Sequence, residues 1–189
     1  MHVLIVCGSL REGSYNRMLA KAAEELAPAE ISFEWGDISG IPLYNQDDDP
    51  AYNKALSEGD HPPKVQRLKE QIAEADAVLF VSPEYNYSIP GGLKNAIDWA
   101  SRAPSPLRGK PVGVIGASTG IGGTLRMQQH IRASFQFLNA PCMLQPEVIV
   151  SQAQNRFDAA GKLVDEATRM VLKAYLEAFA KWIDAHKTS

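Results

Sequence analysis

A chain of 189 residues with 45% hydrophobic and 22% charged residues is expected to form one soluble domain with a sizeable core. A formal net charge of −3 gives no electrostatic case for nucleic acid or an anionic membrane surface, and the apolar runs are too short to span a bilayer. The chain starts directly on a strand pattern, without a basic, apolar, small-residue signal series, so the expected location is the cytoplasm. The two cysteines, Cys7 and Cys142, sit in apolar runs and read as small buried hydrophobes rather than a disulfide framework. The four histidines lack ligand-like spacing, so no metal site is expected.

In chain order, the first element is an apolar run, His2–Cys7, read as a buried strand. The turn Gly8-Ser9-Leu10-Arg11-Glu12-Gly13-Ser14-Tyr15-Asn16 follows and leads into a helical period, Ser14–Leu26. A strand, a glycine- and serine-bearing turn and a helix start make an anion site, because the first helical N–H groups lack intrahelical partners and sit at the positive end of the helix dipole. Hydroxyls from Ser9 and Ser14, the Asn16 amide and the Arg11 guanidinium suit a terminal phosphate dianion. The spacing Gly8-x4-Gly13 approaches a nucleotide-triphosphate loop, but Ser14 stands where that motif needs lysine. The bland alternative is a capping Ser14 beside ordinary turn glycines.

Ile31–Ile38 is mixed in polarity and reads as an edge strand. Asn45–Pro63 follows as a long polar connection with Asp47, Asp48, Asp49, Glu58 and Asp60, expected to be mostly a solvated surface. Lys64–Ala75 has a helical period, and Ala77–Ser82 is a continuously apolar strand. The next loop, Pro83-Glu84-Tyr85-Asn86-Tyr87-Ser88-Ile89-Pro90-Gly91-Gly92, combines prolines that stiffen it, glycines that free its backbone and two tyrosines. It suits a flat heteroaromatic ring, held by main-chain hydrogen bonds and walled by tyrosine. Gly92–Ser101 is helical, Pro111–Ala117 a central strand, Thr124–Leu138 a helix, Met143–Val150 a strand and Lys162–His186 a helix. Alternation of short apolar strands with helices predicts an α/β doubly wound, five-stranded parallel sheet with helices on both faces. Its commonest order is 2-1-3-4-5, which places the loops after the first and third strands together at the switch point.

Two patterns around Ser118 compete with this reading. Gly116-Ala117-Ser118-Thr119-Gly120-Ile121-Gly122 resembles the glycine series of short-chain dehydrogenases, but it follows the fourth strand and no Tyr is followed four residues later by Lys. Gly116-x-Ser118-x-Gly120 also matches a nucleophile elbow. A triad would then draw on Asp158 or Asp165 with His186 or His130. Asp165 and His186 fall at opposite ends of one predicted helix, about 30 Å apart at ~1.5 Å per residue. The simpler reading makes Ser118 part of a third loop closing on the same ligand.

The phosphate turn, the run Pro83–Trp99 and Arg126-x-Gln128-x-x-Ile131-Arg132 together resemble the NADPH-dependent FMN reductases, in particular the bacterial chromate, quinone and azo reductases. Ile41-Pro42-Leu43-Tyr44 and Gly109-Lys110-Pro111-Val112 also fit. The resemblance implies a flavodoxin-like fold holding FMN non-covalently. Ser9, Arg11, Ser14, Tyr15 and Asn16 would be at the phosphate, Pro83, Glu84, Tyr85 and Asn86 at the isoalloxazine and ribityl chain, and Ser118 on the far loop. It further implies NADPH or NADH as co-substrate and ping-pong reduction of quinones and of azo, nitro or chromate acceptors, in a homodimer or homotetramer. A flavodoxin-type electron carrier is the alternative, and a serine hydrolase the remoter one.

Overall fold

The computed structural model describes residues 1–56 and 60–186. Five strands, β1 (His2–Cys7), β2 (Ser32–Gly36), β3 (Ala77–Val81), β4 (Val112–Ala117) and β5 (Val148–Val150), form one sheet in the order β2-β1-β3-β4-β5. Every pairing is parallel, as predicted. The helices are α1 (Tyr15–Leu26), α2 (Pro63–Glu74), α3 (Gly91–Ala100), α4 (Leu125–Leu138) and α5 (Glu166–His186).

Strand alternation sorts the core into two layers. Val3 and Ile5 of β1, with Leu79 of β3, pack with Leu19 and Ala23 of α1 and Leu172, Leu176 and Phe179 of α5. Leu4 and Val6, with Val78 and Phe80, face Leu68 and Ile72 of α2, Leu93 and Ile97 of α3, and Met127 and Ile131 of α4. Central strands buried on both faces need continuous apolar runs, and β1, β3 and β4 supply them. Each fully buried Leu or Ile contributes about 1.5–3 kcal/mol, so this double layer fixes the register that carries the loops.

Three boundaries differ from the sequence reading. β2 covers only Ser32–Gly36, since Asp37 beyond it accepts the Ser39 N–H and turns the chain away. The fifth strand divides: Cys142 bridges β4 at Val112, the chain then leaves the sheet, and pairing resumes only at Val148. Pro146 lacks the N–H a ladder position requires. α5 starts at Glu166 rather than Lys162, because Asp165 accepts from the Thr168 N–H at 2.9 Å and the Thr168 hydroxyl at 2.6 Å as an N-terminal cap, while Leu163 pairs with Phe157 in an isolated bridge. The thiols are free, Cys7 buried and Cys142 half-buried. Burial pushes both thiols up, Cys142 to about 11.

The acidic connection is more ordered than a solvated run. Asp49 is fully buried and accepts from the Tyr44 hydroxyl at 3.2 Å and the Ala51 N–H at 3.0 Å. Glu58 lies outside the described residues. None of the described helices is long and apolar enough to cross a membrane.

Candidate functional site

Parallel pairing puts the C-terminal ends of all five strands on one edge, and three loops that the sequence singles out leave from there. The first follows β1. The Gly8 N–H still pairs with Val81 O at 2.9 Å, and Gly8 packs so tightly that a Cβ there would overlap Ser82 Oγ and stand 2.9 Å from Leu93 Cδ2. Beyond it, the N–H groups from Ser9 to Ser14 find no protein acceptor among the described residues. Ser14 caps α1, its hydroxyl accepting the Asn16 N–H at 3.1 Å. The Ser9 side chain is buried and its hydroxyl has no protein partner among the described residues. Arg11 is exposed and forms no ion pair there either. Unpaired amides, a buried hydroxyl and an unneutralised guanidinium at a helix N-terminus are the donor set a phosphate dianion needs. These residues therefore fit the phosphate of FMN.

Tyr15 opens α1, half-buried, with its ring 5.7 Å from that of Phe157. Asn16 is placed differently from the phosphate contact inferred by resemblance. Its amide Nδ2 donates to Ala117 O at 2.9 Å and its Oδ1 accepts the Ala117 N–H at 2.9 Å. It ties the start of α1 to the end of β4.

The loop after β3 carries Pro83, buried, and then Glu84, which turns toward α4. Glu84 Oε2 accepts from the N–H groups of Arg126 and Met127 at 3.0 and 3.1 Å, while Oε1 lies 3.4 Å from the Arg126 guanidinium. A carboxylate on those orphan N–H groups anchors the loop to a helix N-terminus. Tyr85 and Ser88 exchange N–H···O bonds of 3.0 and 2.9 Å, closing a tight turn in which Asn86 and Tyr87 take φ of +48° and +66°. Two consecutive left-handed residues, one a tyrosine, cost energy that the surrounding contacts must hold. Arg126 supplies one such contact with its guanidinium 3.9 Å from the Tyr87 ring centroid, and His130 Nδ1 supplies another at 3.0 Å from the Ser88 hydroxyl. The turn thus presents two exposed phenol rings, Tyr85 and Tyr87, and the N–H groups of Asn86 and Tyr87, which find no acceptor among the described residues. The sequence assigned no role to Arg126, and only its place in the quoted pattern hinted at one. Replacing Glu84 by Gln keeps an acceptor but removes the charge, so a loss of about 0.5–2 kcal/mol is expected, measured by urea unfolding with the loop's tyrosine fluorescence followed in parallel.

Asn95 and Trp99, also within the quoted pattern, support the site's surroundings. Asn95 Oδ1 accepts the Tyr44 N–H at 2.8 Å, and Asn95 Nδ2 and Trp99 Nε1 both donate to Pro42 O, at 2.8 and 2.9 Å. They pin the Ile41–Tyr44 segment against α3.

Ser118 begins the loop after β4. Its N–H donates to Val150 O at 2.9 Å, and its hydroxyl accepts the Gly120 N–H at 3.2 Å. The hydrolase alternative fails on geometry. His130 is bonded to Ser88, His186 to Trp182 O at 2.8 Å, His61 to Lys69 at 2.9 Å, and His2 pairs with Glu34 at 3.3 Å. No histidine is thus engaged with Ser118.

The family model for NADPH-dependent FMN reductases matches residues 1–155. A NAD(P)H-dependent FMN reductase of Pseudomonas aeruginosa is 49% identical over 182 residues, 96% of this chain and 94% of the relative. A 2-hydroxy-1,4-benzoquinone reductase of a Burkholderia species is 43% identical over 185 residues, 97% of this chain and 96% of the relative. Among solved structures, the flavoenzyme NAD(P)H:(acceptor) oxidoreductase FerB of Paracoccus denitrificans superposes with a TM-score of 0.86 at 35% identity, covering 99% of each chain. Fold and comparisons define a flavodoxin-like flavoprotein. The chain belongs to the NADPH-dependent FMN reductases. That membership makes it an enzyme, and the electron-carrier alternative falls away.

Proposed function

We propose that all 189 residues form one FMN-binding unit that oxidises NADPH or NADH and reduces quinones, with azo, nitro and chromate compounds as secondary acceptors. The observation carrying this reading is the pairing of Arg11, beside the α1 N-terminus, with a tyrosine-bearing turn, the guanidinium and the Asn86 and Tyr87 N–H groups all lacking protein partners among the described residues. FMN, when bound, supplies the ring that takes up hydride and hands electrons on. Arg11, Ser9, Ser14 and the N–H groups of the turn leading into α1 hold its phosphate. Asn86 and Tyr87 present backbone N–H groups positioned to stabilise negative charge on a reduced ring, and the tyrosines exclude water from its edge. The Tyr85 N–H, being spent on Ser88, is not one of these donors. No side chain needs to move a proton.

Exposed Leu10, Tyr85, Tyr87 and Ile121 on this edge leave the site open, which supports one face serving nicotinamide and acceptor in turn. Quinone as acceptor is supported by the name of the Burkholderia relative. A cytoplasmic homodimer or homotetramer remains part of the proposal. The test is steady-state NADPH oxidation by the FMN-loaded protein with 1,4-benzoquinone. Parallel double-reciprocal lines support alternating occupancy, and intersecting lines refute it. Arg11→Ala should raise the Kd for FMN about tenfold to a hundredfold, the worth of one charge-assisted bond at ~1.5–3 kcal/mol, read by flavin fluorescence. An unchanged Kd would remove Arg11 from the phosphate site.

A further inference from the structure

A second cleft opens on the other flank of the phosphate turn. It lies between the C-terminal ends of β1 and β2, has a volume of about 250 Å³, and is lined by Cys7, Ser9, Arg17, Trp35, Asp37 and Ser39 among others. Ser9 belongs to both this cleft and the phosphate turn, so the two share one edge of the sheet. Arg17 stands in the first turn of α1 with its guanidinium 5.6 Å from the Trp35 ring centroid. The indole is itself fixed, its Nε1 donating to Glu24 at 2.9 Å. Arg17 makes no hydrogen bond or ion pair among the described residues, although it is held in place by the ring beneath it.

The opposite charge in the cleft is already satisfied. Asp37 follows β2 directly, and its Oδ1 accepts the Ser39 N–H at 2.8 Å while Oδ2 pairs with Lys64 at 3.1 Å. Where a nucleotide 2′-phosphate must be told from a 2′-hydroxyl, an unpaired arginine favours the phosphate and an unpaired carboxylate the hydroxyl. Here the acid is engaged and the arginine is not, so the uncompensated charge in the cleft is positive. Arg17 offers a fork for phosphate and a flat face for a purine. The volume falls just under the ~300–1,000 Å³ of closed ligand pockets, enough for one end of a dinucleotide rather than the whole.

We propose that this cleft receives the 2′-phosphorylated adenosine end of NADPH, with Arg17 as the phosphate's partner, and that Arg17 makes the enzyme prefer NADPH to NADH. The proposal rests on the oxidoreductase reading above.

Two measurements on the FMN-loaded protein test it. Adenosine 2′,5′-bisphosphate should quench tryptophan fluorescence, bind at least about tenfold more tightly than 5′-AMP, and lose that advantage in Arg17→Gln. In kinetics, Arg17→Gln should lower the ratio of kcat/KM for NADPH over NADH about tenfold to a hundredfold, with the change in KM for NADPH. Equal affinity for the two adenylates, displacement of the bisphosphate by an equal concentration of inorganic phosphate, or an unchanged nicotinamide ratio would overturn the assignment. Absence of turnover with either nicotinamide in the unmutated protein would count against the oxidoreductase reading instead, and the bisphosphate titration would still decide the cleft.

Discussion

Gly116→Ala is expected to be the most damaging small substitution in the sheet. A Cβ at Gly116 would overlap the backbone oxygen of Ser82 and stand 2.6 Å from Thr124 Oγ1 and 3.0 Å from Thr124 Cγ2. Ser82 cannot retreat, because its N–H is bonded to Ile115 O at 3.1 Å, and Thr124 is fully buried at the start of α4. Relief therefore requires β3 and β4 to separate where both loops of the site depart. The expected loss is about 3 kcal/mol, at the upper end for overpacking, or roughly 6–12 °C in Tm for a chain of this size. Gly120→Ala is the control, since a Cβ there meets only Ser118 Oγ at 3.6 Å, and its Tm should stay within about 2 °C. If both variants melt alike, the close approach at Gly116 is not what the glycine is for.

Asn16→Ala should cost nearly as much, for a different reason. It leaves the Ala117 N–H and C=O without their side-chain partners in a site where Asn16 itself is only 2% exposed. Two buried backbone groups at about 1–3 kcal/mol each, partly relieved by entering water, give an expected loss of about 2–4 kcal/mol. FMN affinity should fall too, because the amide couples the helix end proposed to hold the phosphate to the loop carrying Ser118. Asn16→Asp separates the roles. It retains an acceptor for the Ala117 N–H but sets a carboxylate against Ala117 O, so it should be no more stable than Asn16→Ala. Were Asn16 a direct phosphate ligand, FMN affinity would drop with stability unchanged. Urea unfolding of the apo protein, paired with an FMN titration, distinguishes the two.

These two positions show where the sequence is informative. The continuous apolar runs of β1, β3 and β4 identify central parallel strands because only a strand covered on both faces excludes polar residues along its whole length. The mixed run at Ser32–Gly36 marks an edge for the same reason. Strand–turn–helix chemistry around Arg11 could be read because a helix N-terminus is a local property, set by the residues that flank it. The tyrosine turn was legible from its composition as a stiffened, tyrosine-bearing loop at this edge, but not its left-handed Asn86–Tyr87 pair, which the Arg126 and His130 contacts from another element hold in place.

Glu84, Asn16 and Ser118 illustrate the remainder. Each is a polar residue in a site-like stretch, and each directs its side chain to backbone groups: Glu84 to the start of α4, Asn16 to Ala117 across 101 residues of chain, and Ser118 to Gly120. A polar residue beside a ligand loop looks the same in sequence whether it meets the ligand or satisfies a buried backbone group, because the same donors and acceptors serve both. Layer architecture and strand order could be read directly from the residues, since hydrophobic period and helix-end chemistry are written in neighbouring positions. Which polar side chains remain unpaired is set by packing between distant segments. That depends on partners a hundred residues away, and at this edge of the sheet it leaves Arg11 and Arg17 without a carboxylate partner among the described residues.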